Sequence, residues 1–82
     1  MRIDKFLNAV NITKRRAVAQ DMIASHVVLL NDKEAKASKN VGVGDRITIL
    51  YLKGSKQYEV LKIPTGKSTP KSQQDEYIKE LS

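Results

Sequence analysis

From Arg46 to Leu52 the chain reads RITILYL, an alternation that puts Ile47, Ile49 and Tyr51 on one side and Arg46, Thr48, Leu50 and Leu52 on the other. A period of two marks a strand with one buried face. The following Lys53-Gly54-Ser55-Lys56 reads as a hairpin connection, and QYEVLKI as the strand that returns beside the first. The start of the chain has a different period. Phe6, Leu7 and Val10 are spaced for a short helix that opens at Asp4 as its N-cap, with Ile3 just outside. Asn11-Ile12 interrupts it, Thr13 caps a second helix, and Val18, Ala19, Met22 and Ile23 form that helix's apolar stripe before Ser25-His26 ends it. Two helices joined so closely must pack as a corner or a hairpin.

Between these halves, VVLLND predicts a short strand turning at Asn31 and Asp32, a pair suited to positive φ. KEAKASKNVGVGD has little periodicity and reads as a loop with at most a short strand, closing in a turn at Gly42 and Gly44. The pattern is that of an α+β fold in which two N-terminal helices pack on a small, mostly antiparallel sheet. One domain is expected over residues 1–63. PTGKSTPKSQQ carries two prolines, a glycine and almost no apolar anchor, so residues 64–74 read as a flexible linker. DEYIKELS, within residues 75–82, reads as a short C-terminal helix or tail with Tyr77, Ile78 and Leu81 as its apolar edge. An isolated helix of that length is marginal in water and must dock on something.

A chain of 82 residues supports one modest core. It has no cysteine, which excludes a disulfide framework, a thiolate metal site and a cysteine nucleophile, and fits a reducing cytoplasm. MRIDKFLNAV acquires Asp4 and Lys5 before any apolar run, so it reads as neither a secretory signal nor a membrane span. The formal charge of +6 predicts attraction to polyanions. That excess lies in the body of the chain, because the last nine residues hold one basic and three acidic side chains. Lone His26 suits a helix end, with no second ligand or base nearby in sequence for metal binding or catalysis, and Tyr51 with Tyr58 reads as a cross-strand core or edge pair. No cofactor, metal, small-molecule substrate or catalytic residue is expected.

The stretch TKRRAVAQ is the informative anomaly. A helix N-terminus carries about half a positive charge and leaves amides unpaired, so Lys14, Arg15 and Arg16 at its start oppose the helix's own electrostatics by roughly 0.3–1 kcal/mol for each cation. A phosphate bound there offsets that repulsion. Arg2-Ile3-Asp4-Lys5, Lys14-Arg15-Arg16-Ala17, Val28 and Leu30 before Asn31, and Val43-Gly44-Asp45-Arg46-Ile47 follow one another in an order that resembles the RNA-binding domain of the ribosomal small-subunit protein four type. The resemblance spans about residues 1–50, and the domain's standing alone brings it nearest the heat-shock protein fifteen group and its short relatives in bacterial ribosome quality control. Glycine, usual in that family where His26 and Asp32 stand, is missing at both places.

The resemblance implies an alpha-L motif and a non-enzymatic monomer that binds structured RNA, ribosomal RNA and tRNA, on the large ribosomal subunit. The expected RNA ligands are Arg2, Lys5, Lys14, Arg15 and Arg16, flanked by Lys36 and Lys39, with Asp4, Thr13, Asn31, Gly44 and Asp45 in support. Helical geometry turns Arg15 toward the sheet and leaves Lys14 and Arg16 for phosphate, so removing Arg16 is expected to weaken binding without loss of stability. Other readings are a ribosome-assembly or RNA-modification accessory and a protein-interaction adaptor using the tail and the apolar strand face of Val27 and Leu29. As a bland alternative, Lys33, Lys36 and Lys39 are simply a solvated loop.

Overall fold

The computed structural model describes residues 1–64 and 71–81. Helices α1 (Ile3–Ala9) and α2 (Arg16–Ala24) cover one face of a five-stranded sheet made of β1 (Val28–Leu30), β2 (Lys33–Glu34), β3 (Arg46–Tyr51), β4 (Gly54–Val60) and β5 (Ile78–Glu80). The strand order is β2-β1-β3-β4-β5 and every pairing is antiparallel. Register places Val28 opposite Ile49, Leu30 opposite Ile47 and Val60 opposite Ile78, so one face carries all six. Ile3, Phe6, Leu7, Val10, Ala19 and Ile23 from the helices fill that face, and the shared core is what holds helices this short.

The turn after β1 forms as the Asn31-Asp32 pair suggests, with φ of 53° and 68°. Asn31 also ties this turn to the next one: its Oδ1 accepts the Arg46 amide at 3.0 Å and its Nδ2 donates to Asp45 Oδ1 at 3.1 Å. Asp45 Oδ2 accepts the Gly42 amide at 2.7 Å, and Gly44 sits at φ 92°, where a side chain is strained. These contacts fix where β3 begins. His26 at φ 63° and Asp32 at φ 68° occupy the left-handed region that glycine enters without strain, the conformation expected where the resemblance places glycine.

Several boundaries differ from the sequence reading. Helix α1 begins at Ile3 with Arg2 at the cap position, so Asp4 lies inside the first turn and is fully buried. Thr13 does not cap α2, which starts at Arg16 with Arg15 at its cap position; the Thr13 hydroxyl is buried without a hydrogen-bond partner among the described residues. The β3–β4 connection is only Leu52-Lys53, because Tyr51 already pairs with Gly54. Tyr51 and Tyr58 therefore share a face without standing opposite each other; Ile47 faces Tyr58.

The largest correction concerns the C-terminus. Where a short helix or tail was expected over residues 75–82, a 3-10 helix at Lys71–Glu76 precedes strand β5, which extends the sheet beside β4. Of the expected linker over residues 64–74, residues 65–70 lie outside those described. The tail docks on the domain itself. Ile78 is buried, the Tyr77 carbonyl accepts the Leu61 amide at 2.7 Å, and Gln74 Nε2 donates to the Val10 carbonyl at 2.6 Å.

Candidate nucleic-acid interface

Asp4 is the centre of the charged surface. Its position in the first turn of α1 aims a fully buried carboxylate at the start of α2. One oxygen, Oδ2, accepts Arg16 Nε at 3.2 Å and Gln20 Nε2 at 3.0 Å; the other, Oδ1, accepts the Lys5 amide at 2.8 Å and lies 3.7 Å from Arg2 Nε. Arg16 and Gln20 are four residues apart on α2 and reach Asp4 from one helix face. Burial pushes the Asp4 carboxyl up, but the hydrogen bonds from Gln20, Arg16 and the Lys5 amide, with the Arg16 charge, outweigh it and hold the group below the ordinary aspartate range.

Arg2 joins this centre to the loop after β2. The Arg2 backbone bridges to Asn40, the Ile3 amide donates to the Lys39 carbonyl at 2.8 Å, and Arg2 Nε lies 3.4 Å from the Ala37 carbonyl. A contiguous strip thus runs from Lys14, Arg15 and Arg16 through Asp4 to Arg2 and the loop bearing Lys36 and Lys39. Lys5 follows Asp4 on α1. Two arginines share one carboxylate, which leaves net positive charge there, and both stay about half exposed, at 51% for Arg2 and 45% for Arg16. Lys5, Lys14, Arg15, Lys36 and Lys39 enter no ion pair among the described residues.

A family model described as the S4 domain matches residues 1–47, more than half of the chain. The chain belongs to the S4 domain family. Over 78 residues it is 49% identical to the RQC P-site tRNA stabilizing factor of Helicobacter pylori, covering 95% of this chain and 93% of that one. Its fold matches heat shock protein 15 of Vibrio cholerae, whose structure is trimeric, with a TM-score of 0.89 at 28% identity, over 100% of this chain and 82% of that one. It also matches the solution structure of a hypothetical protein with a TM-score of 0.86 at 46% identity, over 100% and 98% of the two chains.

In this S4 domain Arg16, expected to be free for phosphate, is paired with Asp4. Arg15 is exposed, in an extended conformation at the cap position of α2, while Arg16 is the residue held by a carboxylate. Gln20 was missed as part of the cluster. Its signal was its spacing four residues after Arg16, legible only once Asp4 is known to face that side. The supporting roles expected of Asn31, Gly44 and Asp45 correspond to contacts that hold the turns, whereas Thr13 has no capping bond.

A structural role for Arg16 changes the expected behaviour of its variants. Arg16→Ala removes a charged hydrogen bond from a buried carboxylate, and at a half-exposed site we expect a loss of about 1–2 kcal/mol, seen as a melting temperature lower by roughly 5–15 °C. The acid limb follows the same contact. A carboxyl whose folded-state value is depressed contributes stability above its unfolded value, and that contribution is lost as pH falls through the folded value. Wild type should therefore lose this part of its stability below about pH 4, and Arg16→Ala, with less depression, should have less of it to lose, over a narrower range just below that pH. Acid unfolding curves that coincide for the two proteins would contradict the Asp4–Arg16 linkage.

Proposed function

We propose that this protein binds the backbone of structured RNA and catalyses no reaction. Its RNA, in this reading, is ribosomal RNA together with a P-site tRNA on the large ribosomal subunit during ribosome quality control. The observation that carries it is the Asp4 centre: one buried carboxylate presets two arginines beside Lys5, Lys14 and Arg15, which enter no ion pair among the described residues. Backbone phosphates suit such an array because they are repeated, fixed in spacing and independent of base identity. The amides opening α2 and the dipole of that helix add to the same attraction. Shape selects the target more than sequence, as for duplex RNA generally. Lys14 and Arg15 act as direct phosphate ligands, Arg2 and Arg16 as oriented ones, and Lys5, Lys36 and Lys39 as flanking contacts.

Membership of the S4 domain family supports this reading, as does close similarity along almost the whole length to a factor named for stabilizing P-site tRNA. No helix among the described residues is long and apolar enough to cross a membrane. We further propose that the protein acts as a cytoplasmic monomer. Sedimentation with purified large subunits, with and without P-site tRNA, tests the proposal. We expect co-sedimentation that strengthens when the tRNA is present. No association with large subunits, or association as strong with purified small subunits run in parallel, would overturn it.

A further inference from the structure

The end of the β3–β4 hairpin lies outside the strip described above and has its own chemistry. Tyr51 closes β3 about half exposed, on the same face as Ile47 and Ile49 but at the end of that row. Its partner in register is Gly54, which has no side chain to cover the ring's neighbour position; a Cβ built there would meet nothing within 4 Å. A shallow cleft of about 380 Å³ results, lined by Tyr51, Lys53, Gly54, Ser55 and Lys56. Lys56 stands opposite Ile49 and so shares the face of Tyr51. Glu80 is the acid nearest to it, with its oxygen 3.5 Å from Lys56 Nζ in a half-exposed pair, while Lys53 is exposed and enters no ion pair among the described residues. Residues 51–56 hold two lysines and no carboxylate.

A half-exposed aromatic ring beside cations fits one ligand class well. Bases stack on aromatic side chains whatever their identity, and lysines take the neighbouring phosphates. We infer that the β3–β4 tip is a second RNA contact, which receives an unpaired base against the Tyr51 ring and its adjoining phosphates at Lys53 and Lys56. This rests on the RNA-binding reading above and deepens it: the Asp4 strip holds a stem by its backbone, and the tip takes a nucleotide that the stem leaves unpaired. The Lys56–Glu80 pair makes Lys53 the stronger phosphate ligand of the two.

The test uses the full chain with two RNAs, a stem-loop carrying a fluorescent adenine analogue in its loop and the blunt duplex of the stem alone. Wild type should bind the stem-loop more tightly and change the analogue's fluorescence. Tyr51→Ala should weaken stem-loop binding about 5- to 150-fold, the range of one base–aromatic stack, and abolish the fluorescence change while leaving duplex binding intact. Tyr51→Phe keeps the π-face and should retain both signals. Stem-loop affinity and fluorescence unaltered by Tyr51→Ala would overturn the inference, with duplex binding still supporting the Asp4 strip. Failure of wild type to bind either RNA would instead overturn the RNA-binding reading, and this one with it. Tyr51-dependent binding to anionic vesicles with no Tyr51 effect on the stem-loop would assign the tip, with its exposed Leu52, to a lipid surface and overturn it as well.

Discussion

Replacing both Lys14 and Arg15 by glutamate is expected to lower affinity for structured RNA by roughly 100-fold near physiological salt, about tenfold for each charged hydrogen bond to phosphate that is removed. Both side chains are exposed and neither enters an ion pair among the described residues. They stand before the first helical residue of α2, so their removal takes no packing from the core. Acidic side chains at this point also agree with the helix dipole, so the melting temperature should stay level or rise slightly. The contrast with Arg16→Ala is the useful part. There both affinity and stability fall, because that guanidinium also partners a buried carboxylate. If the double variant binds RNA as wild type does, the start of α2 is not the contact surface. If it unfolds, the two residues have structural partners that the described fold does not contain.

Ile78→Ala should be the most destabilising of these changes, at about 2–5 kcal/mol, with a fall in melting temperature of more than roughly 10 °C. Ile78 is 4% exposed and packs with Val60 at the β4 side of the sheet. Truncating it leaves a hole in a small core and weakens the strand that covers the β4 edge, exposing backbone donors and acceptors there. Chemical denaturation of the full chain measures this directly. A change below about 0.5 kcal/mol, the level of an ordinary surface substitution, would mean that the tail is not docked in solution. Because β5 lies on the far side of β4 from β1 and β2, RNA affinity of the folded fraction should be preserved.

How legible these features were in the chain depended on whether local pattern or distant pairing decided them. The alternation of Ile47 and Ile49 and the Asn31-Asp32 turn were readable because a strand's burial and a tight turn's φ are local demands. Tyr77, Ile78 and Leu81 misled for the opposite reason: their spacing satisfies one helical edge, and only pairing with Val60 and Glu59 selects a strand. The cap at Thr13 failed because the chain makes further bends before α2, so the helix starts two residues later than that cap would place it. The cationic cluster was visible in its residue types and not in its wiring. Arg2 and Arg16 are fourteen positions apart, and nothing in either segment shows that one carboxylate serves both until α1 packs against α2.

Everything proposed for the Asp4 strip depends on cations that replace the counterions of an RNA backbone. The salt dependence of RNA affinity measures that replacement most directly. For about five phosphates neutralised, log affinity should fall against log salt concentration with a slope on the order of 3.5–4.5, and Lys14→Glu/Arg15→Glu should reduce the slope by about 1.4–1.8. A wild-type slope below about 1, corresponding to roughly one neutralised phosphate, would contradict the strip as the binding surface.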